Sequence, residues 1–240
     1  MSFVKIIAEI GINHNGSLDT ALKLIYKASE ARVDAVKFQK RSLSHIYSKS
    51  ILEDSNGAEW NFDYLLPQLE KLELSDEDYH IIKETCAELG LDLIITPMDE
   101  KSADFVAALG VSAIKIASPD MTNLGLIKKC GSFGLPLIIS TGMWEYEDIK
   151  KCVDFYKRHN LNFSLLAANS TYPTPYESIG LNFISQLKQL SSNVGYSGHE
   201  RGIFIPVAAV ALGATIIEKH ITLSRNQLGP DHKASLLPTE

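Results

Sequence analysis

The sequence lacks the features of a nucleic-acid-binding, membrane-spanning or disulfide-stabilised protein. Its 23 lysines and arginines are outnumbered by 29 aspartates and glutamates, so a net charge of −6 leaves no basic footprint for a nucleic acid. The apolar run at the N-terminus is too short for a signal peptide, and no run approaches a membrane span. The cysteines Cys86, Cys130 and Cys152 fit neither a zinc site nor a disulfide framework. We therefore expect reduced thiols in a cytoplasmic protein.

Nucleotide-binding motifs are missing as well. The sequence contains neither G-x-G-x-x-G nor the Walker A pattern, so we expect neither a dinucleotide nor ATP as a ligand. The chain has 240 residues, of which 45% are hydrophobic. This length and composition suit one large α/β domain or two small ones.

Apolar, β-branched runs alternate with helical patterns along almost the whole chain. Strands are predicted at 4–11, 35–40, 91–97, 113–118, 135–141, 163–169, 193–199 and 215–222. Helices are predicted near 18–31, 76–89, 99–109, 123–133, 145–158, 179–190 and 203–212, with Ser17, Ser75 and Thr122 as N-caps. Eight strands separated by helices favour a (β/α)₈ barrel, with an open doubly wound sheet as the alternative.

Two stretches depart from this repeating pattern. Residues 41–74 form a long insertion between strand 2 and helix 2, on the side of a barrel where active sites lie. No eighth helix is evident after strand 8, so we interpret residues 1–240 as a single barrel domain that lacks its final helix. We expect this absence to expose apolar surface at Ile217 and Ile221 and to favour self-association.

Polar side chains stand near the end of every predicted strand. They are Glu9, Lys37, Gln39, Thr96, Lys115, Ser118, Ser140, Asn169, Ser170, Ser197, His199, Glu218 and His220. Each has an ordinary structural explanation when taken alone, since hydroxyls bond to nearby backbone and lysines reach the rim. A barrel core would instead fill inward positions with Val, Ile and Leu. A polar ring at the carboxyl ends of the strands therefore indicates an active site.

The last two strands combine imidazoles with an acid. His199 and His220 fall on consecutive strands, which lie roughly 4.8 Å apart in a sheet. Two imidazoles with open positions suit a divalent ion such as Mn²⁺, Fe²⁺, Co²⁺ or Zn²⁺. Glu218 shares a strand face with His220, because side chains repeat every two residues. Glu9 and Glu218 are candidates for handling protons, and the sequence leaves the assignment of acid and base between them open.

Cations and hydroxyls on the other strands indicate an anion site. Lys37 and Lys115 would supply point charges, and serine hydroxyls would add directional donors. The serines concerned are Ser118, Ser140 and Ser197. Such a site suits an anion that carries both phosphate and carboxylate.

Several long stretches form one set of motifs: AEIGINHNG, AVKFQKR, TPMDEKSADF, KIASPDMTNLGLI, STGM, TYPTPYE, VGYSGHERG, VAAVALGATIIEKHITL and GPDHKASLLPTE. From residue 3 onward the chain resembles the sialic acid synthase family, which comprises N-acetylneuraminate synthase and its legionaminate and pseudaminate relatives. The resemblance implies a (β/α)₈ barrel that condenses phosphoenolpyruvate with N-acetylmannosamine, a related N-acetylated aldose or its 6-phosphate. The products would be phosphate and a nine-carbon 2-keto acid.

The resemblance also implies roles for individual residues. The metal ligands would be His199 and His220, binding Mn²⁺ with Mg²⁺ or Co²⁺ as alternatives. The sugar contacts would be Glu9, Tyr172 and Asp231. The phosphoenolpyruvate pocket would comprise Lys37, Thr96, Lys115, Ser118, Ser140, Ser170 and Ser197. Glu218 would stand beside the reacting atoms, so Glu9 and Glu218 are the expected catalytic residues.

The family resemblance further implies a homodimer in which a small antifreeze-like domain caps the partner's site. Nothing in this sequence corresponds to that domain, so we expect Mn²⁺ and phosphoenolpyruvate to bind but condensation to be slow or absent. Two alternatives stay open. One is another metal-dependent aldol-type synthase that acts on a different aldose, and the other is a non-catalytic or truncated barrel that binds a metal and an anion.

Overall fold

The computed structural model describes residues 3–53 and 68–240, and a closed barrel of eight parallel strands forms its centre. The strands are β1 (Lys5–Gly11), β2 (Ala35–Lys40), β3 (Asp92–Pro97), β4 (Ala113–Ile116), β5 (Leu137–Ser140), β6 (Phe163–Ala168), β7 (Val194–Gly198) and β8 (Ile216–His220). Each strand pairs with the next, and β8 pairs with β1 to close the barrel. The predicted (β/α)₈ barrel is confirmed, and the open sheet is excluded.

Helices connect successive strands on the outside of the barrel. They are α1 (Leu18–Glu30), α2 (Asp76–Glu88), α3 (Glu100–Leu109), α4 (Leu124–Ser132), α5 (Tyr146–Arg158), α6 (Phe183–Leu187) and α7 (Phe204–Ala211). Ser17 and Ser75 cap α1 and α2 as predicted, since each side chain accepts a backbone N–H of the first turn. The predicted cap Thr122 is wrong. It ends a 3₁₀ turn, and Asn123 caps α4 instead.

Two connections differ from simple strand-to-helix loops. The insertion predicted at 41–74 begins with the short helices Leu43–Ile46 and Lys49–Glu53, and its residues 54–67 lie outside the described residues. Helix α6 is shorter than the predicted 179–190, because turns occupy both sides of it. In the described part of the chain, no helix has both the length and the hydropathy that crossing a bilayer requires.

The segment after β8 folds back onto that strand. Among the described residues it contains a 3₁₀ turn (His232–Ala234) and no α-helix. Ile217 and Ile221 are nevertheless buried, so the predicted exposure of these two side chains is wrong. Ile217 packs in the core between the barrel and its helices. Leu236 pairs with Ile221, and its N–H donates to the carbonyl of His220 over 2.8 Å, which covers this part of the strand.

The interior of the barrel divides into two layers. The lower layer, toward the amino ends of the strands, consists of Ile7, Ala35, Ile94, Ala113, Ile138 and Leu166, with Ile216 packed against it. Side chains repeat every two residues on one face of a strand, so the next inward residues form the upper layer. There Glu9, Lys37 and Lys115 take the place of aliphatic residues. The fold therefore presents a polar chamber above an apolar floor.

Candidate active site

The carboxyl ends of the strands surround a cavity of about 320 Å³. Its walls include Glu9, Lys37, Thr96, Lys115, Ser118, Ser140, Ser170, Tyr172, Ser197, His199, Glu218 and His220. Asp231 is buried beside this wall, with its Oδ2 atom 3.8 Å from Nδ1 of His220. The structure thus brings together all the residues to which the family resemblance assigned roles toward metal, sugar and phosphoenolpyruvate.

Lys37 lies between the two buried carboxylates. Its Nζ atom is 3.2 Å from Oε1 of Glu9 and 3.2 Å from Oε1 of Glu218. Lys37 also donates to the hydroxyl of Thr96 over 3.4 Å, and Ser197 donates to Glu218 over 3.1 Å. Burial lowers the pKa of Lys37, but Glu218 and Glu9 outweigh it and raise that pKa above its ordinary value. Lys37 therefore stays charged and holds the acids together.

The two carboxylates have opposite pKa shifts. Burial raises the pKa of Glu9 above its ordinary value, and the neighbouring Glu218 adds to the rise against the opposing charge of Lys37. Burial acts in the same sense on Glu218, but Lys115 and Lys37 outweigh it and bring its pKa to about 2. Each group keeps one oxygen, Oε2, buried without a hydrogen-bond partner. Glu9 is thus the carboxyl that can carry a proton, while Glu218 is ionised.

Lys115 is a buried cation held by neutral oxygens. It donates to the hydroxyl of Ser140 over 2.7 Å and to the carbonyl of Ile116 over 3.0 Å. Burial lowers its pKa to about 8, so it is charged at neutral pH at a cost in desolvation. Nearby, the hydroxyl of Ser118 accepts the N–H of Gly142 over 3.0 Å, which leaves its own proton free to be donated. This side of the cavity suits a bound anion.

The two imidazoles face each other across the last two strands. Their ring centroids are 5.6 Å apart, and Tyr172 stacks on His199 with 4.0 Å between centroids. Nδ1 of His199 lies 2.7 Å from the carbonyl of Asn169, so this nitrogen carries the proton and Nε2 has a free lone pair. Burial lowers the pKa of His199 to about 3 and that of His220 below its ordinary value. Both rings are therefore neutral, the form that binds metals.

These donors fit a divalent ion only in part. Nδ1 of His220 is buried without a hydrogen-bond partner, which marks a polar atom that a ligand or a small shift toward Asp231 would satisfy. Within residues 3–53 and 68–240, no group of three or more His, Cys, Asp or Glu side chains converges on one ion. Two imidazoles could hold an ion whose remaining positions are filled by substrate or water.

Residues without a clear sequence signal complete the wall. Met98 and Met143 line the cavity, and nothing in their spacing predicts this position. Gln39 was noted only as a strand-end residue, yet its amide donates to Glu9 over 3.3 Å. Arg41 in turn donates to the amide oxygen of Gln39 over 2.9 Å and pairs with Glu73. The insertion after β2 is therefore tied to the acid on β1.

The remaining histidines lie apart from this cavity. His45, His80 and His159 are exposed. His14 accepts the N–H of Gly16 over 3.0 Å, and His232 bonds to the hydroxyl of Thr222 over 2.8 Å. These last two stabilise the loops after β1 and β8.

Comparisons with known proteins agree with this arrangement. The model of the NeuB family matches residues 24–240. The chain is 39% identical over 245 residues to N,N'-diacetyllegionaminic acid synthase of Legionella pneumophila, covering 98% of this chain and 68% of that protein. It is 41% identical over 242 residues to N-acetylneuraminate-9-phosphate synthase of Drosophila melanogaster, covering 99% of this chain and 65% of that protein. The chain thus spans about two thirds of the length of these relatives.

A solved structure is similar over the whole chain. It is N-acetylneuraminic acid synthetase of Leptospira borgpetersenii in complex with citrate, with a TM-score of 0.90 and 32% sequence identity. The match covers 99% of this chain and 80% of that chain. More distant is a truncated 3-deoxy-D-arabino-heptulosonate 7-phosphate synthase of Thermotoga maritima, which at 16% identity and a TM-score of 0.74 shares the fold alone.

Proposed function

Because the chain belongs to the NeuB family, we propose that it condenses phosphoenolpyruvate with an N-acetylated aldose and releases phosphate. The acceptor we propose is N-acetylmannosamine, and the product is then a nonulosonic acid of the sialic acid type. The observation that carries this proposal is the cavity itself. It combines buried cations, two carboxylates of opposite pKa shift and two neutral imidazoles within about 320 Å³.

Phosphoenolpyruvate is held by Lys115 and its hydroxyl neighbours. A buried ammonium that is bonded to neutral oxygens gains a counter-ion when a phosphate or carboxylate binds, which offsets its desolvation. Lys37 adds a second cation to the pocket, although it already pairs with the two acids. The proposed pocket comprises Lys37, Thr96, Lys115, Ser118, Ser140, Ser170 and Ser197.

Glu9 and Glu218 divide the proton and charge chemistry. In the condensation, the alkene carbon of phosphoenolpyruvate bonds to the aldehyde carbon, and the aldehyde oxygen takes up a proton. Water then adds to C2 and loses a proton, and the C2–O bond to phosphate breaks as the new C2 hydroxyl gives up its proton and becomes the ketone. Glu9, whose pKa is raised, donates the proton to the aldehyde oxygen. Glu218, which stays ionised, stabilises the positive charge that develops at C2. The proposal thus gives the acid role to Glu9 and the charge-stabilising role to Glu218.

His199 and His220 hold the cofactor in this proposal, and Mn²⁺ is the ion we favour, with Mg²⁺ or Co²⁺ as alternatives. A divalent ion bound there supplies Lewis-acid polarisation of the sugar carbonyl. Glu9, Tyr172 and Asp231 contact the sugar. Tyr172 suits this role because it lies at the rim, 42% exposed, against the ring of His199.

Phosphate release from phosphoenolpyruvate tests the proposal. We expect release to require both Mn²⁺ and N-acetylmannosamine, and Lys115→Met to abolish it while Lys129→Met, on the exposed Lys129–Asp104 ion pair, does not. N-acetylmannosamine 6-phosphate and a second N-acetylated aldose are tested in parallel, because the relatives are named for different products. Sugar-independent release, or release at the same rate without a divalent ion, contradicts the proposal.

The homodimer implied by the family resemblance stays a prediction. Light scattering of the purified chain measures its mass in solution. A mass twice that of the 26.5 kDa chain supports the dimer, and a monomer at all concentrations contradicts it.

A further inference from the structure

Strands β7 and β8 carry a second polar cluster on the face opposite to the cavity. Ser197 pairs with Glu218 and Gly198 with Lys219 across the two strands. Glu218 lines the cavity, so Lys219 next to it points to the other side. There it meets Glu200 and Tyr196, neither of which lines the cavity.

The cluster is a buried ion pair whose members are bonded to one another. Lys219 donates to Oε1 of Glu200 over 3.1 Å and also to the backbone carbonyl of Glu200. The hydroxyl of Tyr196 donates to Oε2 of Glu200 over 2.7 Å. Glu200 is 0% exposed, Lys219 7% and Tyr196 6%. Both carboxylate oxygens are thus satisfied, as a buried charge requires.

Gly198 leaves the space that this cluster occupies. A Cβ atom at residue 198 would lie 2.6 Å from Cε1 of Tyr196 and 2.7 and 2.8 Å from the carboxylate oxygens of Glu200. Real Cβ atoms do not approach other atoms so closely, and the neighbours here are held by the ion pair. Glycine therefore allows the carboxylate of Glu200 to fold back over the end of β7.

The cluster is attached to the two imidazoles through the backbone. Glu200 directly follows His199, and Lys219 directly precedes His220. The paired residues of β7 and β8 end at Gly198 and Lys219, so His199 lies beyond the ladder that fixes the rest of β7. The ion pair connects the ends of β7 and β8 at this point, one residue from each imidazole.

We propose that Glu200, Lys219 and Tyr196 position His199 relative to His220 for binding of a divalent ion. This inference rests on the metal site of the proposed function. A purely stabilising role explains the cluster less well, because a buried ion pair contributes little more than apolar residues of the same volume. The same pair does provide a fixed distance between two backbone segments. Groups that hydrogen-bond directly to metal ligands contribute roughly 10- to 100-fold to metal affinity, and a cluster that acts one residue away through the backbone should approach the lower end of that range.

Calorimetric Mn²⁺ binding, with phosphoenolpyruvate binding in metal-free buffer, tests the inference. We expect Glu200→Gln to weaken Mn²⁺ binding by about 10-fold and to leave metal-free phosphoenolpyruvate affinity unchanged, because Lys115 lies across the barrel. Asp104→Asn, which breaks the exposed Lys129–Asp104 pair by the same chemical change, should alter neither. Unchanged Mn²⁺ affinity in Glu200→Gln overturns the inference.

The double variant Glu200→Gln/Lys219→Met separates positioning from stability. Relative to Glu200→Gln it leaves no charge unpaired, so its unfolding transition should recover. Its Mn²⁺ affinity should stay low, because the link between the two segments is still missing. Affinity that recovers together with stability means that the cluster acts only on the fold. If Glu200→Gln does not fold, Tyr196→Phe, which removes one hydrogen bond and no charge, should weaken Mn²⁺ binding several-fold, and unchanged affinity overturns the inference.

His199→Ala and His220→Ala provide the reference for these measurements. Both should abolish Mn²⁺ binding while the chain stays folded. Wild-type affinity in these two variants overturns the metal site itself, and with it the positioning role. If instead the histidine variants lose Mn²⁺ binding and Glu200→Gln keeps it, the metal site stands and only the positioning role is overturned.

Discussion

The lower and upper layers of the barrel interior come from the same strands and yet have opposite chemistry. Ile7, Ile94 and Ile138 form the floor, and the residues two positions further along, Glu9, Thr96 and Ser140, line the cavity. Burial is nearly complete in both layers. In the lower layer burial stabilises the fold, whereas in the upper layer it shifts the pKa values of Glu9 and Lys115 against their charged forms. The lower layer thus stabilises the barrel, while the upper layer carries the unfavourable desolvation of its charged groups.

Among substitutions in the two layers, one in the lower layer should have the largest effect, and that effect is on the free energy of unfolding. Ile94→Ala removes a fully buried side chain and should lower the free energy of unfolding by about 2–5 kcal/mol. Chemical denaturation measures this change. Ile81→Ala is the matched control, since Ile81 is 41% exposed on α2 and should change stability far less. Equal losses in the two variants would mean that the apolar floor is not what stabilises the barrel.

The second effect concerns Lys115 in the upper layer, whose contribution to stability depends on pH. The pKa of Lys115 is about 8 in the folded chain and 10.5 in the reference state, so only the unfolded chain keeps the proton between these values. Stability should therefore rise with pH in this window by an amount on the order of 3 kcal/mol. Lys115→Met lacks this contribution. The difference in unfolding free energy between Lys115→Met and wild type should be largest below pH 8 and shrink toward pH 10.5. A constant difference would show that Lys115 is not desolvated.

The smallest of the three effects is on binding. Lys115→Met should weaken phosphoenolpyruvate binding by about 10- to 150-fold, because a charge-assisted contact contributes roughly 1.5–3 kcal/mol. Lys129→Met should leave the affinity unchanged, since Lys129 pairs with Asp104 on the outer face of α4. Titration calorimetry compares the two. Equal losses of affinity in the two variants would mean that Lys115 is not the lysine that binds the anion. The buried upper layer would then not differ from the surface in anion binding.

Local sequence patterns were sufficient to predict the barrel. Apolar runs and capping residues such as Ser17 and Ser75 depend on contacts within one turn or one strand, and all eight strands lie within two residues of their predicted ends. Predictions that depended on distant contacts were less reliable. Ile217 and Ile221 were expected to be exposed, but Ile217 packs in the core between the barrel and its helices, and the chain returns to Ile221 at Leu236, fifteen residues further on.

The sequence by itself determined which strand residues share the upper layer of a barrel, because side chains on one face of a strand repeat every two residues. It could not determine how those residues divide their work. Glu9 and Glu218 look alike in the sequence. Lys37, from β2, lowers the pKa of both, and their shifts are opposite because Lys115, from β4, is the strongest cation acting on Glu218. The pairing of Glu200 with Lys219 likewise joins residues 19 positions apart on the far side of two strands. Only the tertiary structure decides such effects, because burial and the distances between charges are properties of the assembled barrel.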